Sequence, residues 1–235
     1  MLLATILAGT VLASAADPSV LIAQVERAVV MNDVELLLEY ERELRVDHPD
    51  DRYSRAYVHW RLSYAVGPER KKEHSEHLKE ARAILEELVA DDATHAEAHA
   101  LLGSVIGGQI TNPFKGMVLG PKSTRALDRA FELEPTNPRV SFLQGVGAFF
   151  TPSMFGGGVD KAEAKLAEAE AFFAAEPPGK AWPSWGRVDV QAWMGVVRLK
   201  KGDRDGARLA LEKGLAMEPD HAWIRNILLP QLDEH

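Results

Sequence analysis

From Gly195 an apolar pattern of helical spacing runs to Leu199, is interrupted by Lys200-Lys201-Gly202-Asp203, and resumes from Arg204 to Met217, just ahead of Pro219. Apolar residues returning every three or four positions mark one face of an α-helix, and Gly and Pro mark where helices stop. The stretch therefore predicts a helix–turn–helix hairpin. Its small residues are Gly195 in the first helix and Ala207 and Gly214 in the second, with Leu211 between the latter two. A seven-residue step returns to the same helical face. Small side chains on that face let the paired helices approach closely.

The same pattern recurs upstream. In "STRALDRAFELEPTNP", Ser123 and Ala130 take the small positions, Leu127 the large one and Pro135 the end, with Gly103 in the preceding helix. Ala162, Leu166 and Ala169 repeat the second helix opposite Gly145, with Pro177 three residues late. Ala81, Leu85 and Leu88 repeat it again, with Ala93 where Pro would stand. A fifth, degenerate copy has the Asn32-Asp33 turn and Pro49 in place, but Leu37 and Leu44 at the small positions. Five hairpins follow, spanning about 18–49, 52–92, 95–135, 138–176 and 187–219.

This spacing resembles the tetratricopeptide repeat (TPR), a helical pair of about 34 residues with small side chains at its eighth, twentieth and twenty-seventh positions and Pro at its thirty-second. The resemblance extends over nearly all of the chain after residue 16 and is closest in the third and last hairpins. It implies an all-α fold: a right-handed α-solenoid of about five TPR-like hairpins, with first helices lining a concave groove. After Pro219, Trp223, Ile224, Ile227 and Leu228 form one stripe, which suits a C-terminal capping helix over the exposed end.

The eighth-position equivalents Val25, Ser63, Gly103, Gly145 and Gly195 lie 38, 40, 42 and 50 residues apart, so something is inserted in each unit but the last. Eighth to twentieth spans 18, 20 and 17 residues in the middle three units, against 12 from Gly195 to Ala207. These insertions, "AVGPERKKEHSEH", "TNPFKGMVLGPKS" and "TPSMFGGGVD", fall inside the hairpins. They are expected as loops standing side by side on one edge, where insertions in solenoids often build the binding face.

Composition narrows the function. With 46% hydrophobic residues, the 235-residue chain can bury a large core unaided. Its net charge of −8 and single dense basic patch, "ERKKEH" at Glu69 to His74, argue against a nucleic-acid partner. Residues 1–16 carry no charged side chain and end in a small-residue Ala13-Ser14-Ala15 pattern before Asp17-Pro18, resembling a secretory signal peptide. The expectation is a signal peptide at 1–16, then a TPR-like helical repeat domain at 17–235, periplasmic or secreted in a bacterium. No membrane insertion is expected after cleavage. With no cysteine, there is neither a disulfide framework nor a thiol nucleophile.

Candidate chemistry is sparse. His74 and His77, and His95 and His99, form two helical pairs, but their antiparallel helices would hold them roughly 13 Å apart, too far for a joint metal site. "HAEAH" lacks the Glu directly after the first His that a zincin needs. "FGGGVD" has no Lys-Ser/Thr partner and reads as a turn with Asp160 capping the next helix, not as a phosphate loop.

The aromatic residues say more. Tyr57, Trp60 and Tyr64 share one face of the second hairpin's first helix. Phe142, Phe149 and Phe150 lie on the matching helix of the fourth, and Trp193 on that of the fifth. The "EPPGKAWPSWG" segment reads as a packed loop between the last two hairpins. The sequence points to an exported, non-enzymatic TPR-like scaffold without cofactor, binding a protein or peptide through its concave groove and hairpin-loop edge. The partner-binding candidates are Tyr57, Trp60, Phe114, Met117, Phe149, Met154, Phe155 and Trp193. The alternatives are a ligand-holding accessory of a solute transport system, which would need a deep apolar cavity, and a weak metal-binding protein using the histidine pairs.

Overall fold

The computed structural model describes residues 18–48, 51–66, 69–177 and 184–233. They form ten helices in five antiparallel hairpins: α1 (Pro18–Met31) with α2 (Val34–Asp47), α3 (Arg52–Ala65) with α4 (Lys71–Asp91), α5 (Ala96–Gly108) with α6 (Pro113–Leu133), α7 (Pro138–Phe150) with α8 (Val159–Ala175), and α9 (Arg187–Lys201) with α10 (Arg204–Met217). A π-helical turn at Ile224–Leu228 then runs into α11, Leu229–Asp233. No strand occurs among the described residues. The proposed signal peptide, Pro49 and Trp182 lie outside them.

Short polar side chains start five of the helices. Asp33, Asp51, Asn112, Asn137 and Asp203 each accept a hydrogen bond from a backbone N–H in the following first turn, satisfying donors that the helix itself leaves unpaired. The expected cap at Asp160 is not one. Its helix starts a residue earlier, at Val159, so Asp160 sits in the first turn and pairs with Lys201 Nζ at 2.7 Å. The glycine run before it is needed for shape: a Cβ on Gly157 would lie 2.1 Å from the Thr151 carbonyl oxygen.

Within a hairpin, the large residue of the second helix fills the hollow left by the small residue of the first. A Cβ on Gly103 would sit 2.7 Å from Leu127 Cγ, on Gly145 3.0 Å from Leu166 Cγ, and on Gly195 2.5 Å from Leu211 Cδ2. The small residues Ala81, Ala130, Ala162, Ala169 and Ala207 are all fully buried. In the degenerate first hairpin, Leu37 and Leu44 stand at those positions and are also fully buried.

Two expectations shift. From Lys71 and from Pro113 onward, the insertions of the second and third hairpins are not loops but extra turns at the N-terminal ends of α4 and α6, each 21 residues against 14 for α10. Seven more residues carry each helix roughly 10 Å further. Only the third insertion, around the short 3-10 turn Ser153–Phe155, is a loop. In the terminal stripe, Ile224, Leu228 and Leu232 are buried and Ile227 is half exposed. The π-helical turn, with Leu229 N–H bonded to the Ile224 carbonyl, holds more residues per turn and so favours a four-residue step.

Candidate functional site

The first helices α3, α5, α7 and α9 form the inner layer, and the space they surround is filled by the chain itself. Trp185, in the segment leading into α9, is 1% exposed. Its ring stacks on Tyr57 at 5.1 Å and also contacts Trp60 and Phe142. Its indole N–H donates to the Tyr53 hydroxyl at 3.2 Å. Tyr57 and Trp60 therefore face inward as expected, but at 0% and 4% exposure they are covered by Trp185 and offer no open face to a partner.

Buried charges close the ring. Arg61 on α3 donates to both carboxylate oxygens of Asp189 on α9, at 3.1 and 2.6 Å, and its Nε donates to the Tyr57 hydroxyl. Glu26 on α1 lies 3.6 Å from the same guanidinium and accepts from the Tyr57 hydroxyl. Burial works against the Asp189 charge, but Arg61 outweighs it and holds the carboxyl below its usual range. For Glu26 burial wins over Arg61, and its carboxyl is pushed up. A second group joins Arg139 to Glu176 at 2.8 Å and to Glu97 at 4.0 Å, with Glu97 also accepting from Tyr53 and Asn137. None of these charged residues was singled out by sequence.

The outer candidates divide into two groups. Phe149, Phe150, Trp193 and Trp223 form a ladder of rings 5.2 to 5.8 Å apart, linking α7, α9 and the terminal helix. Phe150 is 69% exposed, and Met154 and Phe155 follow it at 82% and 72%. Separately, Phe114, Met117 and Val118 stand 77, 68 and 61% exposed on the added turns of α6. Among the described residues, no ring contact joins Phe114 or Phe155 to the ladder.

Between the added turns of α4 and α6 lies a cleft of about 810 Å³, floored by the ends of α3 and α5. Ser63, Tyr64, Leu78, Gly108 and Leu119 supply its walls, and Lys71, Lys79, Arg82 and Lys115 its cations. His74 lines it too, donating Nδ1–H to the Ser63 carbonyl.

No protein-family model matches the chain, and no curated protein matches it. Solved structures do. The HusA haemophore from Porphyromonas gingivalis superposes with a TM-score of 0.60 at 23% identity, over 79% of this chain and 94% of that one. A thermophilic TPR protein from Thermus thermophilus superposes with a TM-score of 0.61 at 16% identity, over 93% and 100%. The fold is tetratricopeptide-like. In TPR register, Tyr57, Glu97, Arg139 and Asp189 each fall six residues before an eighth position, so the buried polar line occupies one repeated inward place.

The histidines take separate roles in this TPR-like frame. His95 caps α5 by accepting from Ala98 N–H at 3.3 Å, and His99 Nε2 lies 3.2 Å from the Ala93 carbonyl. His77 Nδ1 lies 3.1 Å from His59 Nδ1, while His59 Nε2 lies 3.5 Å from Glu41. Burial, then the His77 charge, lowers the His59 pKa to about 4. Among the described residues, no group of three or more His, Cys, Asp or Glu side chains could hold a metal ion. Nor is any described helix long and apolar enough to cross a membrane.

Proposed function

We propose that this is an exported, non-enzymatic TPR-like scaffold that binds a protein or peptide partner along its outer hairpin edge. One observation carries the reading: the inner surface is occupied by Trp185, while the large exposed apolar side chains Phe114, Met117, Met154 and Phe155 stand in two groups, each on a within-hairpin insertion. Apolar residues exposed together are the mark of an interaction surface, and aromatic anchors dominate such surfaces. The ring ladder around Phe149 and Trp193 extends the face toward the C-terminal end. Export rests on the charge-free run at residues 1–16, and intact-mass measurement of native material tests it by showing a chain that begins at Ala16 or Asp17.

The binding test replaces Phe114 and Phe155 by Ser and compares what native periplasm yields in pull-downs with each form. Both residues are exposed, so stability is kept while partner recovery falls. Unchanged recovery by a well-folded double variant refutes the partner edge. A second reading, ligand holding, is favoured by the cleft between α4 and α6. One structural neighbour is described as a haemophore, and the cleft is a place where a small molecule would fit here.

A further inference from the structure

We infer that the cleft between α4 and α6 is a binding site for an apolar small molecule carrying a carboxylate. This rests on the ligand-holding reading and is independent of the partner edge. The volume, about 810 Å³, falls in the range of small-molecule pockets, roughly 300–1,000 Å³. Its floor and walls offer Leu78, Leu119, Ala83, the Tyr64 ring and the bare backbone of Gly108. Tyr64 is itself 50% exposed, an aromatic face left open at the bottom of a recess. An apolar body fits such a lining.

Charge selects the other half of the ligand. The chain as a whole carries −8, yet the cleft gathers Lys71, Lys79, Arg82 and Lys115 against a single carboxylate, Glu86, that is already bound to Arg82 at 2.8 Å. Among the described residues, no carboxylate lies within ion-pairing distance of Lys71, Lys79 or Lys115. Helical phase produces this sorting. Residues 71, 75, 78, 79, 82 and 86 share one face of α4 and line the cleft, while Glu73, Glu76 and Glu80 do not line it. Three unpaired ammonium groups on flexible stems, around a partly enclosed apolar recess, complement an anionic head on an apolar body. The lysine stems add apolar surface of their own while their heads reach the rim.

The added turns make the site. A helix pair of ordinary length ends near the ends of α3 and α5, leaving a flat edge. Carrying α4 and α6 about 10 Å beyond raises two walls, and Lys71, Ser75 and Lys115 stand on those added turns.

The test uses the full chain and the fluorescent fatty acid 11-(dansylamino)undecanoic acid, with its methyl ester as the uncharged control. Expected is saturable binding of the acid at least tenfold tighter than the ester, weakening as salt rises. Lys71→Gln/Lys79→Gln/Lys115→Gln, changing exposed side chains only, lowers acid affinity at least tenfold and brings it to the ester's level. Ala83→Trp, which fills the recess from an exposed helical position, blocks acid and ester alike. Phe114→Ser/Phe155→Ser leaves acid binding unchanged, separating the cleft from the partner edge. Equal affinity for acid and ester, no saturable binding, or binding lost with Phe114 and Phe155 but kept in Ala83→Trp, overturns the inference.

Discussion

Replacing Arg61 by Met tests the claim that buried charges hold the ring closed. Arg61 makes two hydrogen bonds to Asp189 and one to Tyr57, and stands 4.8 Å over the Trp60 ring. Met fills similar space without the charge. Asp189, 8% exposed, and the neighbouring Glu26 then face each other with their cation gone. Breaking a buried ion pair from one side typically costs about 3–5 kcal/mol, because the stranded charge is left desolvated. For a chain of this length that corresponds to a fall in melting temperature of roughly 6–20 °C.

Removing the acid instead should cost less. In Asp189→Asn, Glu26 remains 3.6 Å from Arg61 as a counter-charge. The informative comparison is the double variant Arg61→Met/Asp189→Leu, which removes the ion pair from both ends and leaves only Glu26, whose carboxyl burial already pushes toward the neutral form and which Tyr57 still bonds. Apolar replacement of a whole buried pair is often neutral or stabilising, so the double variant should be more stable than Arg61→Met alone. Urea unfolding at pH 7 of the wild type, Arg61→Met, Asp189→Leu and the double gives the coupling directly. An Arg61→Met cost below about 1 kcal/mol, or a double variant less stable than that single, refutes a clasp between the second and fifth hairpins.

The repeat register predicts that Ala130→Leu or Ala169→Leu loses about 1–3 kcal/mol by overpacking, while Glu212→Gln on an exposed face does little; equal thermal melts for the two classes would disprove the register. Stability should also fall on mild acidification, because the folded state keeps His59 neutral. The folded pKa, about 4, lies below the ordinary 6.5, so the contribution is complete above pH 6.5 and lost as pH falls toward 4. At about 1.4 kcal/mol per pH unit the ceiling is roughly 3 kcal/mol. Melts of wild type and His59→Gln between pH 6.5 and 5 should diverge, and parallel curves would remove His59 as the cause.

Packing between paired helices was legible in the sequence because it is local. Gly195, Ala207 and Leu211 belong to one hairpin, and their spacing alone dictates how they meet. The filled interior was not, because it depends on where distant units end up. Arg61 and Asp189 are 128 positions apart, and no periodicity says that the curvature brings α3 within side-chain reach of α9. A signal was nevertheless present. Tyr57, Glu97, Arg139 and Asp189 repeat one inward register place in four successive units. Three charges at a place that faces inward must find partners there, since an unpaired buried charge is prohibitive. The insertions misled for a different reason: "NPFKGMVLGP" is rich in Gly and Pro and reads as loop, yet Asn112 caps it, Pro113 starts the helix, and the long body of α6 propagates the turns across Pro121.

A filled interior changes what the insertions are for. An open solenoid offers its first helices to a partner, and its outer edge needs no elaboration. Here Trp185 and the two arginine groups occupy that space, so a partner entering it would have to displace a fully buried indole, a loss of about 3–5 kcal/mol if it resembles truncation of a core Trp. The edge is the cheaper place to bind. It is also where the chain departs from its standard unit: the second and third hairpins grow by added helical turns and the fourth by a glycine-rich loop, whereas the fifth, with no insertion, has a two-residue break from Lys201 to Arg204. The added turns raise a cation-lined cleft on one side and hold Phe114, Met117 and Val118 in solvent on the other. Sequence length is spent on the edge and none on opening the groove, which is what the proposed binding from outside requires.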